Sequence, residues 1–231
     1  MYCENRQLVL SCEHAGNRVP AQFARLFEDQ HELLASHRGW DMGAHSLAKY
    51  LAKHTGAPLH AVTVTRLLIE CNRSPANPAR FSALARQLCK QDREWLHEHV
   101  WRPHHDALHL DIAARIRKGP VLHLSVHSFT PILDGKPRRA DVALLYDPAS
   151  KLECEFAGRW LSELAQIAPG LRLRRNYPYK GTSDGMTRLL RREFAGQPYA
   201  GVELEVSQAL LRETTRKGRL HALLGDTLLD L

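Results

Sequence analysis

VLHLSVHSF, at residues 121–129, is an apolar run that ends in polar residues, and the rest of the chain can be interpreted from it. A run of this length is typical of a buried strand, whose carboxyl end would deliver His127. A second such run, LVL at residues 8–10, leads into His14. Open α/β sheets build their sites just past the carboxyl ends of strands. Both histidines are therefore candidates for chemistry at that edge of a sheet.

Strands and helices alternate along the remaining sequence. Further strands are predicted at residues 59–65, 141–146, 171–174 and 200–206. Helices are predicted at residues 21–35, 41–51, 151–167 and 186–194, from residue 207 onward, and across 84–118, where Pro103 is expected to break the helix and start a new one. This alternation predicts an α/β fold in which one domain, residues 1–231, has a mainly parallel, mixed sheet flanked by helices.

The composition is that of a folded protein with a sizeable core, since 44% of the 231 residues are hydrophobic and 25% are charged. The first six residues lack the basic-then-apolar pattern of a signal peptide, and no apolar stretch approaches the ~18 residues that would span a bilayer. We therefore expect a cytoplasmic protein with no membrane contact. The five cysteines include no CxxC pair, which predicts mostly buried free thiols.

The chemistry is carried by dispersed residues, because the sequence contains no dinucleotide fingerprint, Walker phosphate loop, nucleophile elbow or HExxH zinc motif. Two neutral imidazoles, from His14 and His127, together with a carboxylate such as Asp41 would hold zinc and leave its fourth position open for water. Asp41 also lies near a predicted helix start, where capping the helix is the alternative role. Glu205 is the candidate base that would take a proton from that water.

Seven short segments follow one another in a distinctive order: residues 13–20, 41–44, 65–73, 102–106, 127–129, 176–188 and 203–205. In this order they resemble the N-formylglutamate amidohydrolase family of zinc hydrolases, which is similar in fold to the zinc carboxypeptidases. The resemblance runs over nearly the whole chain. It implies a metal-dependent hydrolase of linear amide bonds.

The resemblance implies one Zn²⁺ per chain, with His14, Asp41 and His127 as its ligands. Carboxypeptidases use a His-x-x-Glu pair, whereas Asn17 stands three residues after the first histidine here. The carboxylate ligand must therefore come from elsewhere in the chain. Asp41 is the first choice and Glu13 is the alternative.

The resemblance also implies the catalytic and binding groups. Glu205 corresponds to the carboxypeptidase general base, and Glu203, which shares its face of the strand, is the alternative. Arg66 is assigned a catalytic role beside it. Substrate binding is assigned to Asn72, Arg73, Arg188 and Tyr179, although Asn72 could instead serve only an Asx turn. His105 is expected to hydrogen-bond a metal ligand from outside, and residues 176–185 are expected to form a loop over the site with two glycine hinges.

The implied substrate is a small anionic N-formyl or N-acyl amino acid, whose carboxylate would pair with an arginine. A carboxypeptidase-like hydrolase of peptides or of peptidoglycan amides is an alternative on the same site. From a different class, a basic non-catalytic nucleic-acid-binding protein would account for the net charge of +7 and for the arginines clustered at residues 172–175 and 188–192. That alternative leaves the ordered His, Asp and Glu positions unexplained.

Overall fold

A six-stranded mixed sheet forms the centre of the computed structural model, which describes residues 7–231. The strands of the described residues are β1 (Gln7–Cys12), β2 (Leu59–Ala61), β3 (Val121–Phe129), β4 (Ile132–Leu133), β5 (Lys136–Pro137), β6 (Val142–Leu145), β7 (Leu173–Arg175) and β8 (Tyr199–Ser207). The order across the sheet is β2-β1-β3-β8-β6-β7, and β4 pairs with β5 in a separate hairpin. β3 and β8 occupy the middle, and all nine residues of each are buried.

The four strands β2, β1, β3 and β8 run parallel to one another. β6 is antiparallel to β8, and β7 is parallel to β6. The predicted α/β fold with a mainly parallel, mixed sheet is thus confirmed. Because the four parallel strands point the same way, their carboxyl ends meet along one edge of the sheet, which is where such folds place their sites.

Helices cover both faces of the sheet. In the described residues they are α1 (His31–Ala35), α2 (Ala44–Thr55), α3 (Lys90–Leu96), α4 (Arg102–Ile116), α5 (Lys151–Ile167), α6 (Met186–Glu193), α7 (Gln208–Arg212) and α8 (Thr214–Leu229). The helices α2, α5 and α8 cover one face, and α4 and α6 cover the other. Within residues 7–231, no helix is both long and apolar enough to cross a membrane.

The two cores follow from side-chain alternation along the central strands. Leu124 of β3 and Val202 of β8 point into the first core, where Trp160 of α5 is fully buried. Residues on the opposite face, such as Val9 of β1, pack in the second core against Leu108 of α4. The sheet thus separates two cores, and its central strands are packed on both faces.

The segment 21–35 is not the single helix that its sequence predicts. Residues Ala21–Phe27 form a 3₁₀ helix and only His31–Ala35 are α-helical. Neither piece has a side-chain N-cap, and the turn between them ends the first one directly after its two buried aromatics, Phe23 and Phe27. Anchoring of these rings in the second core outweighs the weak propensity for a continuous helix.

The strand predicted at residues 59–65 pairs with β1 only as far as Ala61. Beyond this point the chain follows the irregular loop after β1, since Ala15 donates its backbone N–H to Val62 O at 2.9 Å and Arg18 donates to Thr63 O at 2.9 Å. The segment after Ala61 therefore stays hydrogen-bonded to this loop, but without the regular bonding pattern of paired strands. The loop that carries His14 is held in place by these bonds.

Pro103 does not interrupt the helical path, contrary to the prediction, although a new α-helix, α4, begins beside it as predicted. A π-helical turn, His97–Trp101, joins α3 to α4, and the proline lies in the first turn of α4. A proline ring clashes with the carbonyl four residues earlier in an ordinary α-helix and offers no N–H to it. The wider π turn directly before Pro103 relieves that conflict and keeps the helical path continuous.

The cysteines only partly follow the prediction of buried thiols. Cys12 and Cys71 are buried and Cys154 is half-buried, whereas Cys89 is exposed. Cys3 lies outside the described residues. The four described cysteines are free.

His123 of β3 is a fully buried histidine below the site, and it makes the stability of the fold depend on pH. Its Nε2 lies 2.7 Å from Ser11 Oγ and its Nδ1 lies 2.8 Å from the Tyr199 hydroxyl. Burial lowers the pKa of His123 to about 3. Unfolding exposes the ring and restores an ordinary pKa of about 6.5, so the unfolded state binds the extra proton first as the pH falls.

We therefore expect the free energy of unfolding to decrease between pH 6.5 and pH 5 by up to about 2 kcal/mol from His123 alone. Urea unfolding at both pH values should show this loss in the wild-type chain and a smaller loss in His123→Gln, which cannot titrate. Equal pH dependence in the two proteins would rule out His123 as the source.

Candidate metal centre and active site

His14, Asp41 and His127 converge at the carboxyl edge of the sheet. His14 lies two residues beyond β1, His127 lies near the end of β3, and Asp41 lies in the turn before α2. Asp41 Oδ2 is 3.2 Å from His14 Nδ1 and 3.0 Å from His127 Nδ1. All three side chains are buried and offer ligand atoms within 4.8 Å of one another. Two ligands of a tetrahedral zinc ion, each ~2.0 Å from it, lie about 3.3 Å apart.

The outer nitrogens of both imidazoles face carboxylates. His14 Nε2 contacts Glu70 Oε1, and His127 Nε2 lies 3.3 Å from Glu13 Oε2 and 2.8 Å from Ser125 Oγ. With each Nε2–H donated outward, the two Nδ1 lone pairs face Asp41 Oδ2 with no hydrogen between them. Three electron-pair donors converging in this way fit a cation, and the carboxylate behind each imidazole is the usual partner of a metal-bound histidine.

The charges around this cluster also favour a cation. Three buried carboxylates surround the cluster: Asp41 and Glu70 pair with the Arg66 guanidinium, whereas Glu13 lies against His104 and His127. Burial opposes ionisation of Asp41, but His14, His127 and Arg66 hold its pKa below the usual range. With the imidazoles neutral, the excess negative charge is what a divalent ion would neutralise.

The imidazoles respond to the same excess charge. Burial and Arg66 oppose protonation of His14, yet Glu70 and Asp41 raise its pKa above the ordinary value. Burial likewise opposes protonation of His127, while Asp41 and Glu13 raise its pKa well above the ordinary value. The surrounding carboxylates thus stabilise positive charge in this cluster.

Glu13, the alternative ligand, lies behind His127 instead of beside Asp41. Its Oε2 accepts a hydrogen bond from Ser125 Oγ at 2.6 Å, and its Oε1 lies 3.3 Å from His104 Nε2. The geometry therefore favours Asp41 as the carboxylate of the candidate metal centre and places Glu13 against the outer nitrogen of His127.

His104, not His105, is the outer histidine of this network. His104 is buried against Glu13, whereas His105 lies at the surface and contacts Glu193. The expectation for His105 is wrong because neighbouring residues of α4 face in different directions, and this one points away from the sheet.

Glu205 lies directly beside His127, since the two residues are register partners on β8 and β3. Its Oε2 is buried and has no hydrogen-bond partner among residues 7–231. Burial raises the pKa of Glu205 to about 8, with Asp41 and Glu203 adding to the rise and His127 opposing it. Glu203, the alternative base, is already engaged, because Thr187 Oγ1 donates to its Oε1 at 2.8 Å.

A cavity of about 400 Å³ opens above these groups. His14, Asp41, His127, Glu203 and Glu205 line it, and its other charged lining residues include Arg38, Arg66, Arg73, Arg138, Lys180 and Asp184. The wall around the cluster is therefore largely cationic. Such a wall attracts a small anionic molecule and holds it near the candidate metal ligands.

Arg66 pairs with two carboxylates of the cluster. Its Nε donates to Glu70 Oε2 at 2.7 Å, and its Nη1 donates to Asp41 Oδ1 at 3.3 Å. Arg66 therefore helps to position Asp41 and Glu70, and it also lines the cavity, where its catalytic role stays a prediction.

Asn72 and Arg73 are consecutive residues of a turn that lines the cavity. Asn72 Oδ1 accepts from the backbone N–H of Met186 at 2.6 Å, which differs from an Asx turn, in which the bond is local. Arg73 Nη1 donates to Asn72 O at 3.2 Å and to the carbonyl of Asp184. These bonds tie the turn to the loop before α6.

The loop 176–185 contributes Tyr179 and Lys180 to the cavity wall. Tyr179 is half exposed, and its hydroxyl accepts from Arg138 Nη2 at 3.0 Å. Gly181 has a packing role: a Cβ there would lie 2.1 Å from the Tyr146 backbone nitrogen, so this glycine permits a close approach of two backbones, and the hinges of the loop stay a prediction.

Arg188 does not line the cavity, although its substrate-binding role was predicted. It is half-buried on α6, where Thr187 is the residue that faces Glu203. Glu70, His104 and Arg138 also belong to the site, although no role was predicted for them from the sequence. The spacing of four residues between Arg66 and Glu70 is the one local signal that could have indicated their pairing.

Solved structures similar to this chain confirm the fold. The gene product Atu2144 from Agrobacterium tumefaciens is 27% identical, with a TM-score of 0.82, and the match covers 97% of this chain and 91% of that one. An N-formylglutamate amidohydrolase from Ralstonia eutropha JMP134 is 22% identical, with a TM-score of 0.69, over 98% of this chain and 93% of that one. No curated protein matches the chain.

The family is settled by a different comparison. The family model of N-formylglutamate amidohydrolase matches residues 6–212. This range includes every element that builds the cavity, from the His14 loop to the end of β8. The chain belongs to the N-formylglutamate amidohydrolase family.

Proposed function

We propose that this chain is a zinc-dependent amidohydrolase that cleaves the amide bond of an N-formyl or N-acyl amino acid, with Glu205 as general base. One observation carries the proposal: the Nδ1 atoms of His14 and His127 converge on Asp41 Oδ2 beside a buried carboxyl of Glu205 whose Oε2 has no hydrogen-bond partner among residues 7–231, in a cationic cavity. Family membership supports the amidohydrolase class.

The ion would be held by Nδ1 of His14, a carboxylate oxygen of Asp41 and Nδ1 of His127. Zinc bound there would supply Lewis acidity for the amide carbonyl and would ease the deprotonation of water. Glu70 and Glu13 keep the two imidazoles in the orientation that binding needs. The Arg66 guanidinium fixes the Asp41 carboxylate from its other oxygen.

Glu205 takes the proton of the attacking water and delivers it to the leaving nitrogen. Its position next to His127 puts its carboxyl at the cavity floor, and its free Oε2 is available for the proton. A general base of this kind works best when its pKa lies near the working pH. Glu203 remains hydrogen-bonded to Thr187 and keeps the neighbouring wall in place.

The substrate's carboxylate pairs with the cationic wall. Arg73 and Arg138 line the cavity, and their planar guanidinium groups suit a carboxylate. Lys180 adds a further positive charge. A volume of about 400 Å³ fits an N-acyl amino acid and is small for a polymer.

The nucleic-acid alternative is weakened, because one arginine of each cluster forms an ion pair within the fold. Arg172 pairs with Asp141 at 2.7 Å, and Arg191 pairs with the buried Glu153 at 2.7 Å. Arg191 also donates to the carbonyls of Gly181 and Gly201. A peptide or peptidoglycan amide hydrolase is instead an outcome that the same assay can reveal.

The test is hydrolysis of a panel of N-formyl and N-acetyl amino acids by zinc-loaded protein, with peptides as the comparison. We expect turnover of the N-acyl amino acids, and a KM about tenfold or more higher in Arg73→Gln or Arg138→Gln, since a charged hydrogen bond is worth about 1.5–3 kcal/mol. Turnover of peptides alone would overturn the substrate class, and zinc binding without any amide hydrolysis would overturn the reaction.

A further inference from the structure

We propose that His105, His109 and Glu193 form a second divalent-metal site at the surface, outside the catalytic cavity. His105 and His109 lie four residues apart on α4, so their side chains share one face of the helix. Glu193, the last residue of α6, reaches both: its carboxylate oxygens lie 2.9 and 3.1 Å from His105 Nε2, and Oε2 lies 2.8 Å from His109 Nδ1. The three ligand atoms lie within 4.8 Å of one another.

The His105 ring is already oriented for an ion. Its Nδ1 lies 2.9 Å from Asp106 Oδ1, so with the proton on Nδ1 the Nε2 lone pair faces the Glu193 carboxylate. A hydrogen bond from the opposite ring nitrogen to a carboxylate is the arrangement that metal-bound histidines commonly have.

Aromatic stacking holds both imidazoles in place. The Trp101 ring stacks on His105 at 4.9 Å with an interplanar angle of 12°, and Phe194 stacks on His109 at 4.7 Å. Rings that are packed in this way lose little rotamer freedom when an ion binds, which preorganises the ligands.

Two imidazoles and one carboxylate suit zinc and similar first-row divalent ions. The three side chains are partly exposed, so solvent can complete the coordination. An ion bound there would clamp α4 to α6. Trp101 connects this clamp to the cavity, because its Nε1 donates at 2.9 Å to the carbonyl of Arg73, which lines the cavity.

Zn²⁺ titration of the chelator-stripped full chain by calorimetry tests this site independently of the catalytic one. We expect two equivalents to bind to the wild-type chain, one to His109→Gln, one to His127→Ala, and none to the double variant. The matched control is His99→Gln, an exposed histidine in the π-helical turn before α4 that stacks on Trp95, and this variant should still bind two.

Each variant is first compared with the wild-type chain by circular dichroism, and Asp41→Asn replaces His127→Ala if the latter does not fold. Within the background that lacks the catalytic site, His105→Gln and Glu193→Gln should each weaken the remaining Zn²⁺ affinity by about 10-fold or more. The proposal is wrong if that background binds no Zn²⁺, or if His109→Gln does not change its stoichiometry and affinity, because the cluster is then only a set of His–Glu ion pairs.

Discussion

Glu205→Gln is expected to keep its zinc and lower kcat by about 10²–10⁴-fold, the usual contribution of a general acid–base group. The amide has nearly the shape of the carboxyl, so the environment of His127, its register partner, stays intact. The amide, unlike the carboxylate, cannot accept the proton of the attacking water. Because the carboxyl has a buried oxygen without a hydrogen-bond partner, the substitution breaks no bond at that atom and should not reduce stability.

Glu203→Gln is the matched control for this experiment. It is two positions away on the same face of β8, and its carboxylate accepts a hydrogen bond from Thr187. A modest change in kcat is expected, because the amide oxygen can still accept that bond. Normal turnover in Glu205→Gln together with a large loss in Glu203→Gln would transfer the role of base to Glu203.

Residues near the ends of β1 and β3 could be predicted from the sequence because their positions depend on local patterns. Each strand is a short apolar run, and the parallel order brings the two carboxyl ends together. His14 and His127 therefore meet through topology alone. Glu205 follows from the same logic, since β8 is the next strand beside β3.

Glu70 and Arg138 could not be found in this way. Both come from irregular segments, one after β2 and the other after the β4–β5 hairpin, where no period relates sequence to direction. Glu70 meets His14 only because the chain after Ala61 runs beside the His14 loop. Long-range packing of this kind leaves no trace in residue spacing.

There is a more specific reason why His104, and not the predicted His105, contacts the network around the metal ligands. The π turn before α4 contains one residue more than an α-helical turn would, which rotates all later residues by about 100° relative to a continuous α-helix. The proline in the sequence predicts a break, so the sequence does not determine which side chains of the following helix face the sheet. As a result, His104 rather than His105 faces Glu13.

His127→Ala is expected to abolish zinc binding at the cluster and to lower kcat/KM by at least about 10³-fold, since metal catalysis supplies several kcal/mol. Removing the ring also leaves the carboxylates of Asp41 and Glu13 without a shared partner in a buried site. A broken buried pair typically costs about 3–5 kcal/mol, so a lower Tm should accompany the loss. Metal analysis, kinetics and thermal unfolding of the same preparation measure all three.

Ser125→Ala separates metal binding from folding. Ser125 Oγ lies between His127 Nε2 and Glu13 Oε2, at 2.8 and 2.6 Å, but it is not a ligand. Its loss should weaken zinc affinity by about 10–100-fold, the usual effect of a missing outer partner, and full activity should return at saturating zinc. If activity does not return, Ser125 acts in the reaction itself.

If His127→Ala retains zinc with wild-type affinity, the ion does not bind between His14 and His127, and the proposed mechanism fails at its first step.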